Sequence, residues 1–216
     1  MKVRSGTIVI LIYLLFAPTS YATKYKIAAS PELEPATYVF ECSTGFSFVV
    51  RTDNSDAWVF LQGRTLRLPA SNSSSPETYQ NAQFELQIEA QAALLKKAGE
   101  LPLNCFNNRK ASVWEHAKLN GADFRAIGNE PAWNLVIQNG SAIVLLTDYN
   151  TLRVERPLPE PVTDQARRTT LWDAGALKLE VSGASCYDSM SGDHFESTVV
   201  VYWEERILRG CGRALH

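Results

Sequence analysis

The chain has 216 residues, with 21 Lys+Arg against 23 Asp+Glu and a net charge of −2 with histidine neutral. Setting aside two cations of an expected leader (21 − 2 = 19, against 23) leaves about −4. That balance argues against a nucleic-acid partner, whose phosphates require concentrated basic surface. It suits a basic protein partner, because opposite net charge speeds encounter.

Residues 1–22 have the three parts of an export signal: Lys2 and Arg4, an apolar run over 8–16, then small residues Ser20 and Ala22. Cleavage is expected after Ala22. The apolar run is short for a stable membrane span, and no cysteine precedes Cys42 to accept a bacterial lipid anchor. The expected product is periplasmic.

Short β-rich runs follow at 37–42, 47–51, 57–61 and 64–68, broken by turn residues at 43–45, 53–56 and 62–63. Such spacing predicts a small antiparallel barrel or sandwich. The stretch 84–97 reads two ways. Phe84, Ile88, Ala92 and Leu95 make a helical face, whereas Phe84, Leu86, Ile88, Ala90, Ala92 and Leu94 alternate as in a strand.

A short helix is predicted over 111–119, with Ser112 as its cap and Glu115 at capping-box spacing. A boundary near Asn120-Gly121 then separates a first domain, 23–118, from a second, 119–216. In the second, runs at 133–137 and 141–146 flank Gln138-Asn139-Gly140, a hairpin signal because Asn and Gly accept positive φ. Further strands are expected at 151–155, 169–172, 176–181, 197–203 and 206–210. Pro157, Pro159 and Pro161 make 156–164 a loop. The expected fold class is all-β: two small antiparallel barrel or sandwich domains, each with one disulfide. Four cysteines allow three connectivities, and the domain organisation favours Cys42–Cys105 with Cys186–Cys211.

Between the first two cysteines lies a polar loop, LPASNSSSPETY, over 68–79. Tyr38, Cys42 and Gly45, then Leu68-Pro69, then Ser73, Ser75 and Tyr79 follow the pattern of a known family. In these residues the segment 38–105 resembles the exported inhibitors of C-type lysozyme, whose probe loop reads Ser-x-Ser-Gly-Ala-Lys-Tyr. Pro76 stands at that Gly and Thr78 at its basic residue, and the family's following Trp-x-Lys-Gly turn is poorly kept in 84–90. The resemblance implies a hairpin over 84–97. It also implies partner-binding residues Ser73, Ser75, Thr78 and Tyr79, with Tyr79 foremost a packing anchor. A C-type lysozyme cleaves with one protonated and one ionised carboxyl. A hydroxyl can donate to the ionised carboxylate and accept from the protonated acid. The expected function is occlusion of that cleft, with no chemistry and no cofactor of its own. The rival expectation is a module that takes a small envelope ligand in an aromatic-lined barrel mouth.

Three motifs mark the second half: FRAIGNEPAW (124–133), CYDSMSG (186–192) and RGCGR (209–213). By them it resembles a second family of exported, β-rich disulfide domains, a resemblance that implies no reaction. Asp188, His194 and Ser189 or Ser191 invite a hydrolase reading, but no nucleophile-elbow pattern surrounds the serines. Cys186 and His194 have no second ligand pair at zinc spacing. The five tryptophans are expected in cores or lining a barrel.

Overall fold

The computed structural model describes residues 35–53, 55–74 and 76–216, without the side chains of 72–74. The expected leader, 1–22, lies outside the described residues.

Eight strands form the first unit: β1 (Ala36–Cys42), β2 (Ser47–Thr52), β3 (Asp56–Leu61), β4 (Arg64–Ser74), β5 (Glu77–Gln80), β6 (Phe84–Glu89), β7 (Ala92–Lys97) and β8 (Leu103–Asn107). They make a closed antiparallel barrel in chain order, sealed where β1 pairs with β8. Closure removes both sheet edges. Alternation sends one face of every strand inward, so that Phe40, Val50, Val59, Leu68 and Leu86 are fully buried in one core. Cys42 and Cys105 face each other directly across the seam and are disulfide-bonded.

The ambiguous stretch resolves as the hairpin β6–β7. A helix burying Phe84, Ile88, Ala92 and Leu95 would leave Leu86 on its opposite side, whereas the strand buries Leu86 completely. Glu85 and Lys96, opposite each other on the outer face, form an ion pair at 2.9 Å. The alternation does not run through the segment as the sequence suggests. Ala90 turns at φ +52°, and beyond the turn Ala93 and Leu95 point inward instead of Ala92 and Leu94.

The helix α1 (Arg109–Leu119) follows. Its cap is Asn108 rather than Ser112: the Asn108 side chain accepts from the Ala111 N–H at 3.0 Å. Ser112, one turn in, is buried and ties the helix to the barrel instead. Its hydroxyl accepts from the Val39 N–H at 2.7 Å and donates to Asn107 Oδ1 at 2.6 Å. Arg51 donates to Asn120 Oδ1 at 2.6 Å near the helix end. The opposite side of α1 buries Trp114 and Ala117.

The second unit contains β9 (Ala122–Asn129), β10 (Ala132–Gln138), β11 (Ala142–Thr147), β12 (Leu152–Pro157), β13 (Val162–Asp164), β14 (Thr169–Ala174), β15 (Leu177–Ser182), β16 (Cys186–Tyr187), β17 (His194–Phe195), β18 (Ser197–Trp203) and β19 (Arg206–Ala214). Nine of them form one curled sheet in the order β12-β11-β10-β9-β19-β18-β15-β14-β13, and β16–β17 stand apart as a small ribbon. Curling lets Leu135, Leu145, Val154, Leu177, Leu179 and Val199 share one core. The β10–β11 turn has Asn139 and Gly140 both at positive φ, +50° and +55°. The proline segment is less of a loop than expected: β12 continues to Pro157 and β13 begins at Val162. Pro157 is tolerated because it ends an edge strand.

The three C-terminal motifs meet in space. Gly128 and Gly210 lie beside each other on paired β9 and β19, and a Cβ on either would strike the Trp133 indole as well as backbone. Asn129 donates to Asp188 Oδ2 at 2.8 Å, and Cys186 is bonded to Cys211. Asp188 Oδ1 also accepts from the backbone N–H groups of Met190 and Ser191, at 3.1 and 2.7 Å. The motifs are therefore one packing solution: glycines for a buried indole, and a capped turn beside a disulfide.

Candidate functional site

The serine-rich loop becomes the β4–β5 hairpin. Ala70 pairs with Tyr79 and Ser74 with Glu77, with a register shift between them. Ser73 lies on the final stretch of β4, its side chain not described; Ser75 lies outside the described residues. The two chain ends of the loop therefore stand side by side at one mouth of the barrel, with Ser75 and Pro76 joining them.

What holds the hairpin is on its β5 side. Tyr79 faces inward and is buried in the barrel core, the anchor expected of it. Its hydroxyl donates to Glu77 Oε2 at 3.1 Å. Thr78 faces the other way and donates to the Pro76 carbonyl at 3.0 Å, bracing the turn from within. Tyr38, on β1, packs against the same core and stacks on Phe40 with ring centres 5.3 Å apart. Burial pushes the Tyr79 phenol up to about 12, with the Glu77 carboxylate adding to the shift. Burial and Glu77 likewise push Tyr38 up. Glu77 is thus the partner that ties the loop to the mouth, and it was not singled out from sequence. Its link to Tyr79, two residues away on the same strand face, is the signal that strand alternation offers.

A pH dependence follows. Below about pH 10 an ordinary tyrosine keeps its proton in the folded and unfolded chain alike. Between pH 10 and about 12 the unfolded chain releases the Tyr79 proton while the folded one retains it, so stability falls as pH rises through that window. Urea midpoints measured at pH 9, 10, 11 and 12 should decline over the last two steps, and Tyr79→Phe should flatten the decline. An unchanged slope in the variant contradicts the anchor.

The opposite mouth holds a cavity of about 470 Å³ lined by Phe46, Phe84 and leucines together with Gln62, Lys97 and Glu100, with Arg64 5.1 Å over the Phe84 ring. Its aromatics are phenylalanines. Trp133 and Trp203 lie in the C-terminal core, Trp114 on the buried side of α1, and Trp58 is exposed beneath Arg67, 5.7 Å from its ring.

The hydrolase constellation does not assemble among the described residues. Both Asp188 oxygens are taken by the turn and Asn129, while His194 Nε2 lies 3.1 Å from Ser185 Oγ. Burial alone would raise the Asp188 carboxyl, but those N–H donors hold it below the usual carboxylate value. All four cysteines are in disulfides, and no cluster of three potential metal ligands occurs among the described residues. No helix among the described residues is long and apolar enough to cross a membrane. No family model, curated protein or solved structure matches this chain.

Proposed function

We propose that the protein is a periplasmic inhibitor of C-type lysozyme that places the β4–β5 hairpin in the enzyme's active-site cleft. The observation that supports this reading best is the position of the serine-bearing segment. It forms a hairpin at one mouth of a disulfide-sealed eight-stranded barrel, with Tyr79 rooted in the core behind it. A probe on a rigid scaffold loses little conformational entropy on binding. Glu77 is exposed beside the turn and accepts the Tyr79 hydroxyl, which holds its side chain against the barrel mouth. Ser73 and Ser75 supply the hydroxyls, and Thr78 and Pro76 stiffen the turn between them and the anchor.

Ser73→Ala and Ser75→Ala should each weaken inhibition about tenfold, the effect of losing one hydrogen bond to a charged group. The thermal midpoint should stay put, since neither change removes core volume. Pro76→Gly with Thr78→Lys restores the family pattern and should strengthen inhibition if those two departures have weakened it by more than the lost Thr78–Pro76 brace contributes. Alanine variants that inhibit as well as the parent would show that the hairpin is not the probe.

A further inference from the structure

Between α1 and the outer face of β9 to β12 lies a cavity of about 400 Å³. Val136, Val144 and Leu146 line it and are outward-facing neighbours of the core residues Leu135 and Leu145, so they present apolar surface away from the core. Its polar lining consists of the guanidiniums of Arg125 and Arg153, the amides of Asn120, Asn134 and Gln138, and His116.

Arg125 is the anomaly. It is largely buried, and that burial works against its charged form. Its Nε is sealed from solvent with no hydrogen-bond partner. Among the described residues its side chain meets no carboxylate and no acceptor; it lies 5.5 Å from the Trp114 ring. Arg213, its cross-strand partner, lies 4.4 Å from the same ring, so a second cation raises the local positive potential. A buried charge with an unmet donor destabilises a fold until an anion supplies both the countercharge and the acceptor. The planar guanidinium fork matches a carboxylate. Arg153, on the rim, is paired with exposed Glu155 at 2.9 Å, so among the described residues Arg125 is the guanidinium of this cavity without a carboxylate partner.

We propose that this cavity binds a small monocarboxylate with a short apolar tail, the carboxylate on Arg125 and the tail over Val136, Val144 and Leu146. The site is separate from the serine hairpin and does not depend on its function. Among the described residues the cavity has one guanidinium without a carboxylate partner, which calls for one negative charge, and the apolar wall of Val136, Val144 and Leu146 gives the strongly hydrated phosphate dianion no partner.

The test is a titration of the purified, 15N-labelled protein with sodium acetate, butyrate and hexanoate, against sodium chloride at equal ionic strength, and with inorganic phosphate. The Arg125 Nε–H resonance should shift saturably with the carboxylates, with affinity rising up to about fourfold for each methylene that becomes buried. The thermal midpoint should rise with hexanoate. Arg125→Met should abolish that rise, Arg153→Gln should weaken binding severalfold, and Arg209→Met, exposed on β19, should leave it unchanged. No saturable shift in the parent protein, no gain from acetate to hexanoate, tighter binding of phosphate than of hexanoate, or a hexanoate-dependent rise that survives Arg125→Met would each overturn the proposal. The resonance titration on the parent protein decides the matter even if Arg125→Met fails to fold.

Discussion

Replacing Cys42 and Cys105 with alanine is expected to destabilise the protein by about 4 kcal/mol, the chain-entropy value for a loop of this length. The two cysteines are 63 residues apart in sequence and directly opposite across the β1–β8 seam. The bond therefore restrains nearly the whole barrel in the unfolded chain while joining strands that are already neighbours in the folded one. Cys186 and Cys211 close a shorter loop, 25 residues, for which the same model gives about 3.5 kcal/mol. Urea unfolding followed by tryptophan fluorescence measures both. A loss under about 1 kcal/mol for the Cys42–Cys105 pair would mean that the seam hydrogen bonds and core hold the barrel closed without it.

Gly210→Ala is expected to cost about 3 kcal/mol, the upper part of the range for overpacking a filled interior. A Cβ at this position would overlap the Ile127 carbonyl oxygen, and would lie 2.8 Å from both the Ile127 carbonyl carbon and the Trp133 ring. Backbone of a paired strand cannot step aside as a flexible side chain can, so either β9 separates from β19 or the indole leaves its site. Gly175→Ala is the comparison. That glycine sits at φ +75° with open space around it, so its cost is conformational only, about 1 kcal/mol. Equal effects at the two positions would contradict the packing role assigned to Gly210.

Much of the fold was legible because strand alternation and turn chemistry are local. The Asn139-Gly140 turn and the strands on either side of it could be placed from residue types alone, since few other pairs adopt two successive positive φ values. The change of inward-facing parity after Ala90 could not, because it depends on how many residues the turn consumes. Ser112 looked like a helix cap by spacing, but Asn108, four residues earlier, took that place and left Ser112 to reach across to β1. The glycine-rich motifs were visible as strings; their joint purpose around Trp133 needed the β9–β19 pairing.

The candidate site was legible in a different way. Nothing in a Ser/Asn-rich loop distinguishes a probe from a solvated turn, and only the resemblance singled out Ser73 and Ser75. The closure of Tyr38, Glu77 and Tyr79 around one mouth depends on strands β1 and β5 lying across a barrel, a long-range arrangement invisible in residue spacing. The same holds for Arg125. Its position in FRAIGNEPAW says nothing of the missing partner that appears once α1 covers β9.

Inhibition is measured by titrating the muramidase activity of a C-type lysozyme with the purified protein lacking residues 1–22, over a range of substrate concentrations. Cleft occlusion predicts stoichiometric complex formation and inhibition that excess substrate relieves, weakened by added salt because screening removes the attraction between an acidic inhibitor and a basic enzyme. Full lysozyme activity at a saturating excess of the protein, both for the parent and for the Pro76→Gly, Thr78→Lys variant, would contradict it.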